Sequence, residues 1–172
     1  MTVFLTGSEG LIGKKLYQFL IKKNYEVLKL DLALGHNLSD EKFVKSYFKE
    51  NKADAMINLF AMMHHVDGRQ DKSTLFDISL DSFNDYLNIN LTSLFSVCRE
   101  FARNNDQGSI VNFSSHYGVV APSPEIYDNE EKHIGYSVSK AGVIMLSKHM
   151  AAHLAPNIRV NTIIPGGFDN AQ

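Results

Sequence analysis

Cysteine, tryptophan and proline are scarce in these 172 residues: one cysteine, no tryptophan and four prolines. A single thiol cannot close an internal disulfide, which excludes the cross-linked scaffolds of small secreted domains. Cys98 stands among Leu94, Phe95, Phe101 and Ala102 at helical spacing and reads as a small buried hydrophobe rather than a nucleophile. Long apolar runs are missing too. None approaches the roughly 20 residues a bilayer span requires, and the opening MTVFLTGSEG lacks the basic and then apolar stretches of a secretory signal. The expectation is a cytoplasmic protein with no membrane partner. Neither sign of charge dominates, with 17 Lys and Arg against 19 Asp and Glu and a formal net charge of −2, so no nucleic-acid groove is expected either. The length suits one domain with a substantial core.

What is present is alternation. Val3–Leu5 reads as a buried strand, followed by Leu11, Ile12, Leu16, Phe19 and Leu20 at helical spacing. Glu26–Leu30 is a second strand. Between Asp31 and Asp40 there is no room for a helix, and any third strand near His36–Leu38 has to be short; Ser39 and Asp40 then supply an N-cap signal for a helix burying Phe43, Val44, Tyr47 and Phe48. Ala55–Leu59 is another strand, and the polar stretch that follows, to about Leu80, reads as loop with a short helix at most. The spacing then predicts a long helix over Ser82–Asn104, a strand over Ser109–Phe113 opened by Gly108, a loop over Ala121–Lys132, a second long helix over Tyr136–Leu154 and a last strand over Ile158–Ile164. Such βα alternation is the signature of an α/β fold with a doubly wound, Rossmann-like parallel sheet, here in the order 3-2-1-4-5-6.

Thr6-Gly7-Ser8-Glu9-Gly10-Leu11-Ile12-Gly13 lies between the first strand and the first helix. There glycines let a pyrophosphate approach the backbone, and the helix N-terminus adds partial positive charge. Thr6, Gly7, Gly10, Leu11, Ile12 and Gly13 are therefore candidate cofactor-binding residues. Asp31 closes the second strand 18 residues beyond Gly13, where a carboxylate accepts hydrogen bonds from the adenosine ribose of NAD and repels a 2′-phosphate. The bland alternative is a strand-end acid that only faces water. Asn37 and Leu38 would lie near the adenine if the sheet is doubly wound.

Tyr136 and Lys140, at i and i+4, share one helix face. A phenol near pKa 10 is a poor base at neutral pH, and an adjacent cation favours its phenolate. The bare pattern is cheap, since Tyr25 and Lys29 also satisfy it across a loop and a strand where the side chains could hardly cooperate. Context separates the two pairs: Tyr136 follows GSIVNFSS (Gly108–Ser115), a buried strand ending in two hydroxyls.

Together these segments resemble the short-chain dehydrogenase/reductase family: TGSEGLIG, NLFA, NINLTS, GSIVNFSS, YSVSK and IRVNTIIPGG occur in the family's order over nearly the whole chain. The resemblance implies that Ser115 holds the substrate oxygen, Tyr136 exchanges its proton, and Lys140 binds the nicotinamide ribose while activating the tyrosine. It matches Asn90 to a position whose backbone organises a proton relay, assigns Asn58 and Ala61 to the cofactor cleft, and sets Pro165 and Gly166 beside the nicotinamide. It further implies a homodimer through the two long helices, whose apolar excess includes Val143, Met145, Leu146 and Met150.

The match has departures. The glycine spacing is that of the family's extended, nucleotide-sugar branch, whereas YSVSK and IRVNTIIPGG resemble its compact branch. NLFA replaces the usual N-N-A-G. The segment Pro122–Glu131 is an insertion at the active-site mouth that suggests a polar substrate. Compact members continue past the proline-glycine turn, so the chain is expected to be C-terminally incomplete, without the last strand. Two other constellations carry less. Adjacent His64 and His65 with Asp67 lack a further metal ligand at useful spacing, so no metal is expected, and His116 with Ser115 and Asp128 has no nucleophile elbow around it. The reading is an NAD-dependent oxidoreductase acting on a secondary alcohol or ketone, tilted toward a sugar or nucleotide-sugar of surface-glycan metabolism. The alternatives are a non-catalytic dinucleotide-binding protein and a nucleotide-sugar epimerase or dehydratase.

Overall fold

A computed structural model describes residues 1–63, 75–123 and 132–167. Five parallel strands form one sheet in the order β2-β1-β3-β4-β5, where β1 is Thr2–Thr6, β2 Glu26–Leu30, β3 Ala55–Asn58, β4 Gly108–Phe113 and β5 Ile158–Ile163. The helices are α1 (Leu11–Lys22), α2 (Glu41–Glu50), α3 (Leu80–Leu87), α4 (Ser93–Asn104) and α5 (Ile134–Leu154). The Rossmann-like doubly wound sheet expected from the alternation is therefore present. One detail is corrected: His36–Leu38 is turn, not a third strand. Asp31 and Gly35 instead bracket a short 3-10 turn, Leu32–Leu34, and Leu38 turns inward to the core. So tight a turn leaves no extended stretch to pair with β2.

Strand periodicity assigns the two faces. Phe4, Met56, Ile110 and Val160 face one way in adjoining register and pack with Val44 and Phe48 of α2, Leu94, Val97, Cys98 and Phe101 of α4, and Val143 and Met150 of α5. Val3 and Ala55 face the other way and pack with Leu16 and Leu20 of α1. Aromatic edges complete the main core, Phe4 meeting Phe48 at 4.9 Å between centroids. Cys98 is fully buried, and burial pushes its thiol up to about 12, as befits a packing residue.

Two residues further along the same face, apolar gives way to polar. Thr6, Asn58 and Asn112 are register neighbours, all buried, and they satisfy one another: Thr6 Oγ1 donates to Asn58 Oδ1 at 3.0 Å, Asn58 Nδ2 to Asn112 Oδ1 at 2.8 Å, and Asn112 Nδ2 to Ser147 Oγ of α5 at 2.9 Å. Buried amides without partners would be costly; closed into a chain, they tie three strands to α5 at the carboxyl edge of the sheet. There β1 continues into Gly7, β2 into Asp31 and β4 into Ser114 and Ser115. This edge, beside the point where the strand order reverses, is where open α/β sheets bind ligands.

The long helix expected over Ser82–Asn104 is continuous in outline but interrupted by a π-helical turn at Asn88–Thr92 between α3 and α4. No helix of the described residues is long and apolar enough to cross a membrane.

Candidate active site

At the nucleotide end, the chain leaves β1 at Gly7, whose φ of +67° and whose closeness to Phe60 exclude a side chain. Gly13 sits directly over the Gly7 carbonyl, where a Cβ would collide with that oxygen and with Ser8. The first turn of α1 is thereby pressed onto the loop. Gly10 is the N-cap and offers no side-chain hydrogen bond, so the amides of the first turn are left for a ligand. Leu11 is exposed and Ile12 half-buried beside this opening. A glycine cradle facing an uncapped helix N-terminus fits a dinucleotide pyrophosphate.

The residues grouped around this turn in the sequence separate into contacts and supports. Thr6 and Asn58 turn their side chains into the buried polar chain, and Leu38 is in the core. Asn37 closes its own turn, accepting from Ser39 N–H at 3.0 Å. Asp31 does more than face water: Oδ2 accepts from the Glu9 main-chain N–H and Oδ1 from Ala33 N–H, both at 2.9 Å. It therefore pins the glycine loop to the end of β2. Ala61 is half-buried just beyond β3.

At the reaction end, β4 delivers Ser114 and Ser115 to the edge, and α5 presents Tyr136 and Lys140 one turn apart. The Ser115 hydroxyl accepts from Tyr117 N–H at 3.2 Å and neighbours the Tyr136 phenol closely enough to favour its ionisation. Lys140 is buried, donates to the Phe113 carbonyl at 3.0 Å, and lies 5.7 Å from the centroid of the Tyr136 ring. Burial brings the ammonium down to about 8. The expectation that the lysine would draw the phenol down is corrected: burial holds Tyr136 above its ordinary value, with the neighbouring Ser115 hydroxyl opposing. The reason is geometric, since the ammonium is spent on a backbone carbonyl and is itself poorly solvated. The Tyr25/Lys29 pair is not comparable, because Lys29 pairs with Glu9.

Of the supports at this end, the resemblance to the family singles out Asn90, and the others carry no signal in the sequence. Asn90, in the π-helical turn, brackets the Met62 backbone by accepting from its N–H at 2.6 Å and donating to its carbonyl at 3.1 Å, while also donating to Ser139 Oγ at 3.0 Å. Widened turns of this kind re-aim side chains at functional sites. Ser139 in turn donates to the Tyr136 carbonyl, and Ser114 to the Lys140 carbonyl, each at 2.7 Å. The turn His116–Gly118 seats on α5 so closely that a Cβ on Gly118 would lie 2.7 Å from the Lys140 carbonyl carbon. His133 caps α5, its Nδ1 accepting from Gly135 N–H at 3.0 Å and its Nε2 3.1 Å from Ser82 Oγ. An Nδ1 that accepts requires the proton on Nε2, so the ring donates to Ser82. Histidine is an unusual cap, which is why the pattern was not legible. Pro165 is half-buried and accepts from His116 N–H at 3.0 Å, while Gly166 stands in open space.

His64, His65 and Asp67, with most of the insertion including Asp128, lie outside the described residues. Among the described residues no group of three His, Cys, Asp or Glu is placed to hold a metal.

Comparison with known proteins agrees with this geometry. Residues 14–171 match a family model described as enoyl-(acyl carrier protein) reductase. The chain is 30% identical over 187 residues to a probable galactose dehydrogenase of Rhizobium meliloti, covering 95% of this chain and 70% of that protein. It is 31% identical over 157 residues to the post-translational flagellin modification protein A of Campylobacter coli, covering 88% and 60% respectively. A short chain dehydrogenase of Leptospira borgpetersenii solved with bound NAD+ superposes with a TM-score of 0.81 at 25% identity, over 98% of this chain and 72% of that one. With matching motifs, sheet and relatives, the chain belongs to the short-chain dehydrogenase/reductase family of oxidoreductases.

Proposed function

We propose that this chain is an NAD(H)-dependent oxidoreductase that interconverts a secondary alcohol and a ketone, with a sugar or sugar derivative as substrate. One observation carries the reading: the neighbouring hydroxyl groups of Ser115 and Tyr136 stand beside a buried lysine, Lys140, 5.7 Å from the Tyr136 ring, on the sheet edge that also bears the glycine cradle. When bound, the nicotinamide supplies or accepts the hydride. The protein's part is to hold the substrate oxygen and move its proton. Ser115 Oγ orients that oxygen, and Tyr136 gives it a proton as the phenol in reduction or takes one as the phenolate in oxidation. Burial keeps the phenol protonated at neutral pH, and an oxygen becoming an alkoxide is basic enough to take that proton. Lys140, poised near 8, exchanges a proton readily behind it, and Asn90 positions this group by bracing the Met62 backbone and, through Ser139, α5.

The sugar reading draws on the galactose dehydrogenase and flagellin-modification relatives and on the polar insertion Pro122–Glu131. The NAD preference draws on Asp31, whose charge opposes a 2′-phosphate. Of the apolar excess expected on the long helices, Val143 and Met150 are in the core and Leu146 packs against it, whereas Met145, with Phe95 and Val138, is exposed; we assign these three to a homodimer interface, for which light scattering at micromolar concentration should give twice the monomer mass. A nucleotide-dependent enzyme whose one thiol is buried suits the cytoplasm.

Titration of the chain with NADH and NADPH, followed by nicotinamide fluorescence, tests the reading. NADH should bind at least about tenfold more tightly, ~1.4 kcal/mol, and a panel of aldoses and sugar alcohols with NAD+ should then yield NADH. Absence of binding by both nucleotides would overturn the enzyme. Turnover confined to simple ketones or acyl thioesters would overturn the sugar, and conversion of a nucleotide sugar without net NAD consumption would reassign the chain as an epimerase or dehydratase.

A further inference from the structure

The nucleotide end holds an ion pair that the reading above does not use. Lys29 Nζ lies 2.9 Å from Glu9 Oε1, with both side chains partly exposed, and 4.9 Å from the centroid of the Tyr17 ring on α1. The main-chain N–H of the same Glu9 donates to Asp31 Oδ2 at 2.9 Å. Lys29 and Asp31 are two residues apart on extended backbone, so they project from the same face of the strand and its continuation. Glu9, Lys29 and Asp31 are thus one cluster, in which a cation capable of meeting a phosphate is already held by a carboxylate.

We propose that Glu9 is a coenzyme-selectivity residue that locks Lys29 away from the adenosine ribose, so that the site rejects a 2′-phosphate through a withheld cation as well as through Asp31. This rests on the nucleotide-binding reading above. With two carboxyl side chains against one lysine, and Lys29 bound between Glu9 and the Tyr17 ring, the cluster carries a negative balance and offers a phosphate no unengaged cation. Neutralising Glu9 leaves one carboxylate and one ammonium on a flexible four-carbon stem that can turn to an incoming phosphate. The Glu9 main-chain bond to Asp31 does not depend on the Glu9 side chain, so the ribose-facing carboxylate stays where it is. Lys29 remains charged throughout the neutral range, since its hydrogen bond to Glu9 raises its pKa and burial opposes this only in part.

Fluorescence titrations of wild type, Glu9→Gln, and the double variant Glu9→Gln/Lys29→Ala with NADH and NADPH decide the matter, with thermal melting to verify the fold of each. Glu9→Gln should bind NADPH about tenfold more tightly than wild type, with NADH affinity changed by less than about threefold, and the double variant should lose the gain. Unchanged NADPH affinity in Glu9→Gln overturns the lock while leaving the cofactor reading intact, provided wild type binds NADH. A gain that persists in the double variant also overturns it, since removal of negative charge alone would then suffice. Failure of every variant to bind either nucleotide overturns both readings together.

Discussion

At the reaction end, Ser115, Tyr136 and Lys140 hang from elements joined by buried hydrogen bonds: Ser114 to the Lys140 carbonyl, Ser139 to the Tyr136 carbonyl, Asn90 to Met62 and Ser139. At the nucleotide end, Glu9, Lys29 and Asp31 meet through partly exposed charges and main-chain amides. Proton transfer needs a dry site that shifts ionisation, and a rigid, satisfied framework keeps a lysine buried there whose partner among the described residues is a main-chain carbonyl. Holding a pyrophosphate needs backbone geometry, and choosing between coenzymes needs exposed charge that the partner can feel. Substitutions at the first end should therefore change chemistry and stability, while those at the second should change affinity and selectivity.

The sharpest way to break this contrast is Tyr136→Phe. Turnover should fall about 10²–10⁴-fold, the range of general acid–base catalysis, while NADH titration stays unchanged; retained turnover would end the assignment. Next is Lys140→Met. Burial lowers the folded-state pKa from 10.5 to about 8, so between those values the unfolded chain holds a proton that the folded chain has released. Wild-type stability, measured against the methionine variant in urea at a series of pH values, should rise with pH across that window and be lowest below pH 8. At ~1.4 kcal/mol per unit the whole change is on the order of 3 kcal/mol. A flat difference would mean that the lysine is solvated.

Asn112→Leu probes the polar chain beneath both ends. It takes from Asn58 Nδ2 its amide acceptor, leaving only the Cys98 Sγ contact at 3.4 Å, and should cost about 1–3 kcal/mol in urea unfolding; a neutral result would show that leucine packing replaces the chain. Asp31→Ser should weaken NADH binding about tenfold, ~1.4 kcal/mol, with little loss of stability, and unchanged preference between NADH and NADPH would remove Asp31 from the ribose. Smallest is the surface cluster in which Glu41 meets Arg99 at 2.7 Å and Lys45 at 3.0 Å: Glu41→Ala should leave the urea midpoint nearly unchanged, because exposed ion pairs add little. A larger loss there would blur the division between the two kinds of site.

Patterns that repeat along the chain were legible before any coordinates. Strand and helix periodicity gave the sheet and its helices, the glycine string sits at the first βα turn, and the i,i+4 spacing brings Tyr136 and Lys140 onto one face. Single-residue partnerships were not legible. Nothing in NINLT announces a π-helical turn, because the extra residue is absorbed by packing: Ser93 Oγ bonds the Asn88 carbonyl at 2.8 Å and Asn90 reaches Met62. Nor does a histidine before Ile134 look like a cap until Ser82 and Tyr86, some fifty residues earlier, pack around it.

Local periodicity and short motifs, whose members are neighbours in the chain, were enough for the α/β class and the family, and they marked the residue types of the candidate reaction centre. Only the tertiary structure decided which way the ionisations move and which charges are engaged. Burial raises Tyr136 and lowers Lys140 because β4 and α5 close over them, and Lys29 is withheld because Glu9, twenty residues earlier in the chain, is folded back to it. Desolvation and ion pairing are set by what surrounds a group in space, and spacing along the chain does not encode that.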